Sequence, residues 1–170
     1  MVSLLSSVLN FHFAAKLLVV SGKDSGYNFV TKSEVIDLSN PSKACQPWAD
    51  HPKGTKFAAG ALVDNQVIIC GGYTPDNEYS TDCHLISPTI TTEAVISLNV
   101  GSAYSAAIEF QEKLLLSGGF GDDGDLNRTE FIDLTQTYPG PDLPYPVRSH
   151  CLIKTDNDEF LLTGGRVGSG

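Results

Sequence analysis

Leu114-Leu115-Leu116-Ser117-Gly118-Gly119 is an apolar run closed by two glycines, and the chain carries variants of it three more times. The other copies read Leu17-Leu18-Val19-Val20-Ser21-Gly22, Val67-Ile68-Ile69-Cys70-Gly71-Gly72 and Phe160-Leu161-Leu162-Thr163-Gly164-Gly165. Their last glycines, Gly22, Gly72, Gly119 and Gly165, lie 50, 47 and 46 residues apart. A near-constant period of this length marks a chain assembled from copies of one supersecondary unit, each burying its apolar faces against its neighbours.

Other segments repeat in step. A second strand-like run follows each of the first three turns: Ser33-Glu34-Val35-Ile36-Asp37-Leu38, Asp82-Cys83-His84-Leu85-Ile86-Ser87 and Thr129-Glu130-Phe131-Ile132-Asp133-Leu134. A softer segment of small and apolar residues precedes each run, at 59–63, 105–109 and 149–153, and Ser6-Ser7-Val8-Leu9-Asn10 fits the same slot. The period matches the roughly 50 residues of a kelch unit better than the 40 to 45 of WD40. With its apolar runs, glycine pairs and following strands, nearly the whole chain resembles the kelch-repeat β-propeller family. Ile36, Leu85 and Ile132 stand where that family usually has Tyr, and Trp48 is the one candidate for its Trp. The repeats are divergent.

The resemblance implies an all-β fold, a partial kelch-type β-propeller of about three and a half four-stranded antiparallel blades. Blade 1 is expected over about 3–48, blade 2 over 56–99, blade 3 over 102–145 and a partial blade 4 over 147–170. Within a blade the second strand is covered on both faces, which is why Leu114-Leu115-Leu116 is continuously apolar instead of alternating. The structural glycines Gly22, Gly71, Gly72, Gly118, Gly119, Gly164 and Gly165 are expected where the chain turns against the next blade and needs positive φ. Propellers usually close with 4 to 8 blades. The missing blades are therefore expected from the rest of a longer chain or from self-association.

The 170 residues carry 11 Lys and Arg against 20 Asp and Glu, a formal net charge of −9 with no basic cluster. Nucleic acid and anionic membranes, which demand a positive surface, are not expected partners. No apolar stretch approaches the roughly 18 residues of a membrane-spanning helix. Met1–Ala15 is apolar and uncharged, but it lacks a positive n-region, and Phe13 spoils a small-residue cleavage site. Its cleavage would also delete the inner strand assigned to blade 1.

The cysteines, Cys45, Cys70, Cys83 and Cys151, form no C-x-x-C pair and no zinc spacing with histidine. Cys70 ends the second strand of blade 2 and Cys83 begins the third, so a disulfide between them is one reading; it would imply an oxidising, extracellular setting. Reduced thiols serving as small apolar residues, compatible with a cytoplasmic substrate adaptor, are the other. His12, His51, His84 and His150 share no ligand spacing, and no metal site is expected. Asp122-Asp123-Gly124-Asp125-Leu126-Asn127 does not fit the EF-hand pattern and reads as a solvated turn. Asn127-Arg128-Thr129 is a formal glycosylation triplet. No phosphate-binding glycine loop, nucleophile elbow or zinc-protease motif is present, so neither catalytic residues nor a cofactor follow. A galactose-oxidase-like enzyme, which also uses kelch-like blades, would need Tyr and His copper ligands with a Tyr-Cys cross-link, and no local arrangement here matches.

Function is then expected from what the scaffold displays. Connections alternate between the two ends of a blade, so the loops after the second strand (23–32, 73–81, 120–128) and the links between blades share one rim. Kelch propellers typically bind other proteins there. Tyr27, Tyr73, Tyr79, Phe120, Arg128 and Arg148 are the expected protein-binding anchors, because aromatics and Arg dominate binding hot spots. Arg148-Ser149-His150 also matches the family's lead into the inner strand. Packing between blades is the competing role for Tyr79 and Arg148. A truncated product without independent activity is the remaining alternative.

Overall fold

The computed structural model describes residues 9–11, 16–40, 42–64, 66–90, 96–155, 157 and 159–168. Ser6, Ser7 and Val8 of the first inner-strand slot, and most of Met1–Ala15, lie outside them. Among the described residues there is no helix. The first antiparallel sheet is formed in order by β1 (Leu9–Phe11), β2 (Lys16–Lys23), β3 (Phe29–Asp37) and β4 (Gln46–Trp48). The second contains β5 (Ala59–Val63), β6 (Gln66–Cys70), β7 (Asp82–Ile86) and β8 (Ile96–Ser97). The third is laid down as β9 (Ala106–Phe110), β10 (Lys113–Ser117), β13 (Thr129–Ile132) and β14 (Thr137–Pro139). A small hairpin of β11 (Phe120–Gly121) and β12 (Gly124–Asp125) interrupts it. The long hairpin β15 (Val147–Lys154) and β16 (Phe160–Val167) begins a fourth sheet. The chain is an all-β partial β-propeller.

The sheets stack through their inner strands, β1 on β5, β5 on β9 and β9 on β15. The second strands of the first three sheets are thereby covered on both faces. Leu18, Ile68 and Leu114 have no exposed surface, and Val35, Val63, Val67, Ile69, Ile86, Leu116 and Ile132 join them in one core that runs from sheet to sheet. Each such aliphatic side chain contributes about 1.5–3 kcal/mol relative to exposure.

The seams between blades repeat one piece of chemistry. In the second blade the Gly72 N–H donates to the Ser102 carbonyl at 2.7 Å, and in the third the Gly119 N–H donates to the Val147 carbonyl at 2.8 Å. That carbonyl lies so close that a Cβ on the preceding glycine, Gly71 or Gly118, would collide with it. Both preceding glycines are also left-handed, with φ of 67° and 56°. The first blade places Ser21 there at the same φ of 56°. Its hydroxyl accepts the Thr55 N–H at 2.7 Å and lies 2.9 Å from each of the Thr55 and Val30 carbonyls.

A second thread joins the links themselves. Phe57, Tyr104 and Ser149 occupy one repeated position and are all left-handed, with φ of 62°, 60° and 55°. The Tyr104 N–H donates to the Phe57 carbonyl at 2.9 Å and the Ser149 N–H to the Tyr104 carbonyl at 2.8 Å. At the fourth turn, by contrast, a Cβ on Gly164 would meet nothing within 4 Å among the described residues. Ile153, Leu161 and Val167 on that last hairpin are about half exposed, at 49%, 54% and 55%.

Two of the three expected loops are more ordered than a strand-and-loop reading allows. Strand pairing continues past the bulge at Val20/Gly22 to Lys23 opposite Phe29, which shrinks the 23–32 loop to a tight turn. Asp24 builds that turn, its carboxylate accepting the N–H groups of Gly26 and Asn28 at 2.8 Å each. The 120–128 loop holds the β11–β12 hairpin.

Candidate functional site

Two register positions of the repeat meet on one rim. One is the residue after the glycine turn: Lys23, Tyr73, Phe120 and Arg166. The other is the residue just before the left-handed position of each inter-blade link: Lys56, Ala103 and Arg148, ahead of Phe57, Tyr104 and Ser149. They face each other as antiparallel bridges, Lys56 with Tyr73 and Ala103 with Phe120, and as the β15–β16 pair Arg148 with Arg166. Because the second, third and fourth blades repeat this pairing, side chains from consecutive blades fall into a row.

The row is a continuous band of rings and cations. The Lys23 ammonium lies 4.8 Å from the Tyr27 ring centroid and 5.8 Å from that of Phe29. The Lys56 ammonium lies 5.4 Å from Phe29, 5.6 Å from Phe57 and 4.7 Å from Tyr73. Tyr73 packs edge-on to Tyr79 at 5.1 Å, and Tyr79 to Phe120 at 5.6 Å. The Arg148 guanidinium closes the row 4.3 Å above Phe120. Phe57 stacks on Tyr104 at 4.0 Å. Edge-on ring pairs and cations over ring faces are the favoured geometries of these groups.

Electrostatics differ along the band. At one end Arg148 Nε sits 3.2 Å from Asp125 Oδ1 in a largely buried ion pair. At the other, neither Lys23 nor Lys56 forms an ion pair among the described residues. Burial, followed by the charge of Lys23, holds the Lys56 ammonium below the ordinary lysine range. Burial likewise raises the Tyr79 and Tyr104 phenols, so both stay neutral.

The structure thus places Tyr27, Tyr73, Tyr79, Phe120 and Arg148 in one row. Tyr27 is 79% exposed and the other four are partly covered. Tyr79 and Arg148 therefore pack along the seam and face the rim at once. Arg128 stands apart: it lines a cleft of about 390 Å³ with Asn99, Glu130, Gly140 and Asp142. In that cleft the buried Glu130 carboxylate accepts the Asn99 backbone N–H and side-chain amide, both at 3.0 Å, across the seam between blades two and three.

Cys70 and Cys83 face each other directly on β6 and β7 and are joined by a disulfide. The next pair closes with the Gly71 N–H donating to the Asp82 carbonyl, so the cysteines occupy a non-hydrogen-bonded pair, where side chains come closest. Cys45 and Cys151 are free and exposed. His150 Nε2 bonds Ser117 Oγ at 2.6 Å in a buried seam contact. His51, 2% exposed, packs edge-on to His84 at 4.7 Å, and neither of its ring nitrogens has a hydrogen-bond partner among the described residues. Burial first, then the neighbouring His84, pushes its pKa down to about 4. Among the described residues no group of three or more His, Cys, Asp or Glu is arranged to hold a metal ion. Asp122 and Asp123 are exposed in the β11–β12 turn, while Asp125 pairs with Arg148.

Sequence reasoning missed Lys23, Lys56, Phe29, Phe57 and Tyr104. The signal was available: Lys23 occupies the position of Tyr73 and Phe120, and Phe57 that of Tyr104. Aligning the turns alone, without the inter-blade links, hid it.

No family model matches the sequence, and no curated protein matches it. Among solved structures, YjhT, a propeller protein, matches with a TM-score of 0.65 at 17% identity, over 80% of this chain and 45% of YjhT. The chain spans less than half the length of YjhT. At that identity the likeness is one of fold.

Proposed function

We propose that the chain is a protein-interaction module, a kelch-type propeller segment that presents its rim to a protein ligand and carries out no catalysis. The observation that supports this most is the unbroken band from Tyr27 through Tyr73, Tyr79 and Phe120 to Arg148, drawn from all four blades. Tyr73, Tyr79 and Phe120 are partly covered by their own scaffold and so lose little freedom on docking, which is what a hot spot requires. In this reading Arg128 contributes from its separate cleft. The missing blades come from the rest of a longer chain or from a second copy, consistent with a match to less than half of YjhT. The Cys70–Cys83 bond fits an oxidising compartment.

The test is an affinity capture with the whole chain and its Phe120→Ala/Arg148→Ala variant, with far-UV circular dichroism showing that both fold. A partner bound by the native chain and lost from the variant is the expected result. Capture that is indifferent to both substitutions overturns the rim as the binding surface.

A further inference from the structure

The band is half-satisfied. Its Arg148 end has its own carboxylate, and among the described residues its Lys23–Lys56 end has none. Both ammoniums face the same Phe29 ring, at 5.8 and 5.4 Å. Like charges gathered over one ring repel, and an aromatic face offsets this only in part. The carboxylate adjacent in sequence, that of Asp24, is committed to its turn, accepting from Gly26, from the Asn28 backbone and from the Asn28 amide. Lys23, Lys56, Phe29 and Tyr73 are all partly exposed, so the pair is open to a ligand.

We propose that Lys23 and Lys56 form a carboxylate-binding site, and that the segment docking on this rim is an acidic peptide. A Glu or Asp side chain lies between the two ammoniums, and a neighbouring apolar side chain packs on Tyr27 or Tyr73. An arriving carboxylate turns one repulsion into two charge-assisted hydrogen bonds, which are strongest where the cations are already partly stripped of water. The surrounding negative charge, −9 in total, rejects acidic chains elsewhere on the surface, so the pair also fixes where such a segment lands. The inference rests on the rim being the binding face and adds the chemistry of what binds.

A fluorescein-labelled deca-glutamate peptide, followed by fluorescence polarisation at low salt, tests it. The native chain binds the peptide, and Lys23→Gln/Lys56→Gln weakens binding about tenfold or more. Lys32→Gln, which removes an equal charge from the exposed Lys32–Asp50 pair, changes it less than about twofold. Each single variant, Lys23→Gln and Lys56→Gln, gives an intermediate loss, so the result does not depend on the double variant folding. Equal affinity in native and double variant overturns the inference, as does binding to phosphatidylserine vesicles without binding to deca-glutamate. If the captured partner is still lost from Phe120→Ala/Arg148→Ala while the lysine variants hold it at native strength, the rim stands and the acidic ligand falls.

Discussion

The seam between the first two blades and the seam between the last two perform the same task with different atoms. At the third turn Gly118 leaves room for the Val147 carbonyl, and the backbone N–H of Gly119 binds it. At the first turn Ser21 holds the same left-handed φ, and its hydroxyl grips both the N–H and the carbonyl of Thr55. The repeat preserves a backbone shape and a bond to the next blade; residue identity follows from which atom makes that bond. Gly118→Ala breaks this seam most severely. It forces a Cβ into left-handed backbone and into a carbonyl that cannot move without losing its bond to Gly119. We expect a loss of about 3 kcal/mol or more, read as a fall in the denaturant midpoint at unchanged slope.

Acid separates the two seams next. His51 lies between blades one and two, and its N–H donates to the Thr31 carbonyl at 2.7 Å while its ring meets His84. Its folded pKa is about 4 against an ordinary 6.5. Between these values the unfolded chain takes up a proton that the folded chain refuses. Stability is therefore complete above about pH 6.5 and declines as the pH falls towards 4, by up to about 3 kcal/mol. His51→Leu flattens that part of the stability profile, which denaturant titrations at successive pH values will show. A variant with undiminished acid sensitivity would assign the effect to His150, which burial also shifts downward at the other seam.

Ser21→Ala is the counterpart to Gly118→Ala. It keeps the left-handed φ but strands the buried Thr55 N–H, for about 1–3 kcal/mol. Ser21→Gly relieves the backbone, loses the same bonds, and falls below it. If Ser21→Gly proves neutral, the hydroxyl bonds carry no net stability and glycine alone explains the turn.

These joints also show what was legible in the sequence. The period, the apolar second strands and the glycine pairs disclosed the propeller, because repetition adds weak local signals. Tyr73, Tyr79 and Phe120 were legible as rim residues because they follow or end the glycine-turn loops. Lys23 and Lys56 were not. Nothing local tells that a lysine after Gly22 and another after Thr55, 33 positions apart, face one Phe29 ring. That depends on β2 and β3 staying paired to Lys23 opposite Phe29, which the expected 23–32 loop denied. Arg128 differs in another way: it sits in the expected loop, but its side chain lines the cleft beside Glu130 and stands apart from the band.

The smallest effect sharpens the comparison by setting its baseline. Lys32 and Asp50 form a 2.7 Å ion pair in blade one, with side chains 73% and 42% exposed. Two long, hydrated side chains gain little from such a pair, because water screens the attraction and holding one geometry costs rotamer freedom. Lys32→Ala is therefore expected to shift stability by less than about 0.5 kcal/mol in thermal or denaturant unfolding. The contrast with Ser21→Ala, in the same blade and also removing polar contacts, isolates burial as the cause. A Lys32→Ala loss as large as that of Ser21→Ala would mean that the outer surface, and not the buried seam, joins the blades.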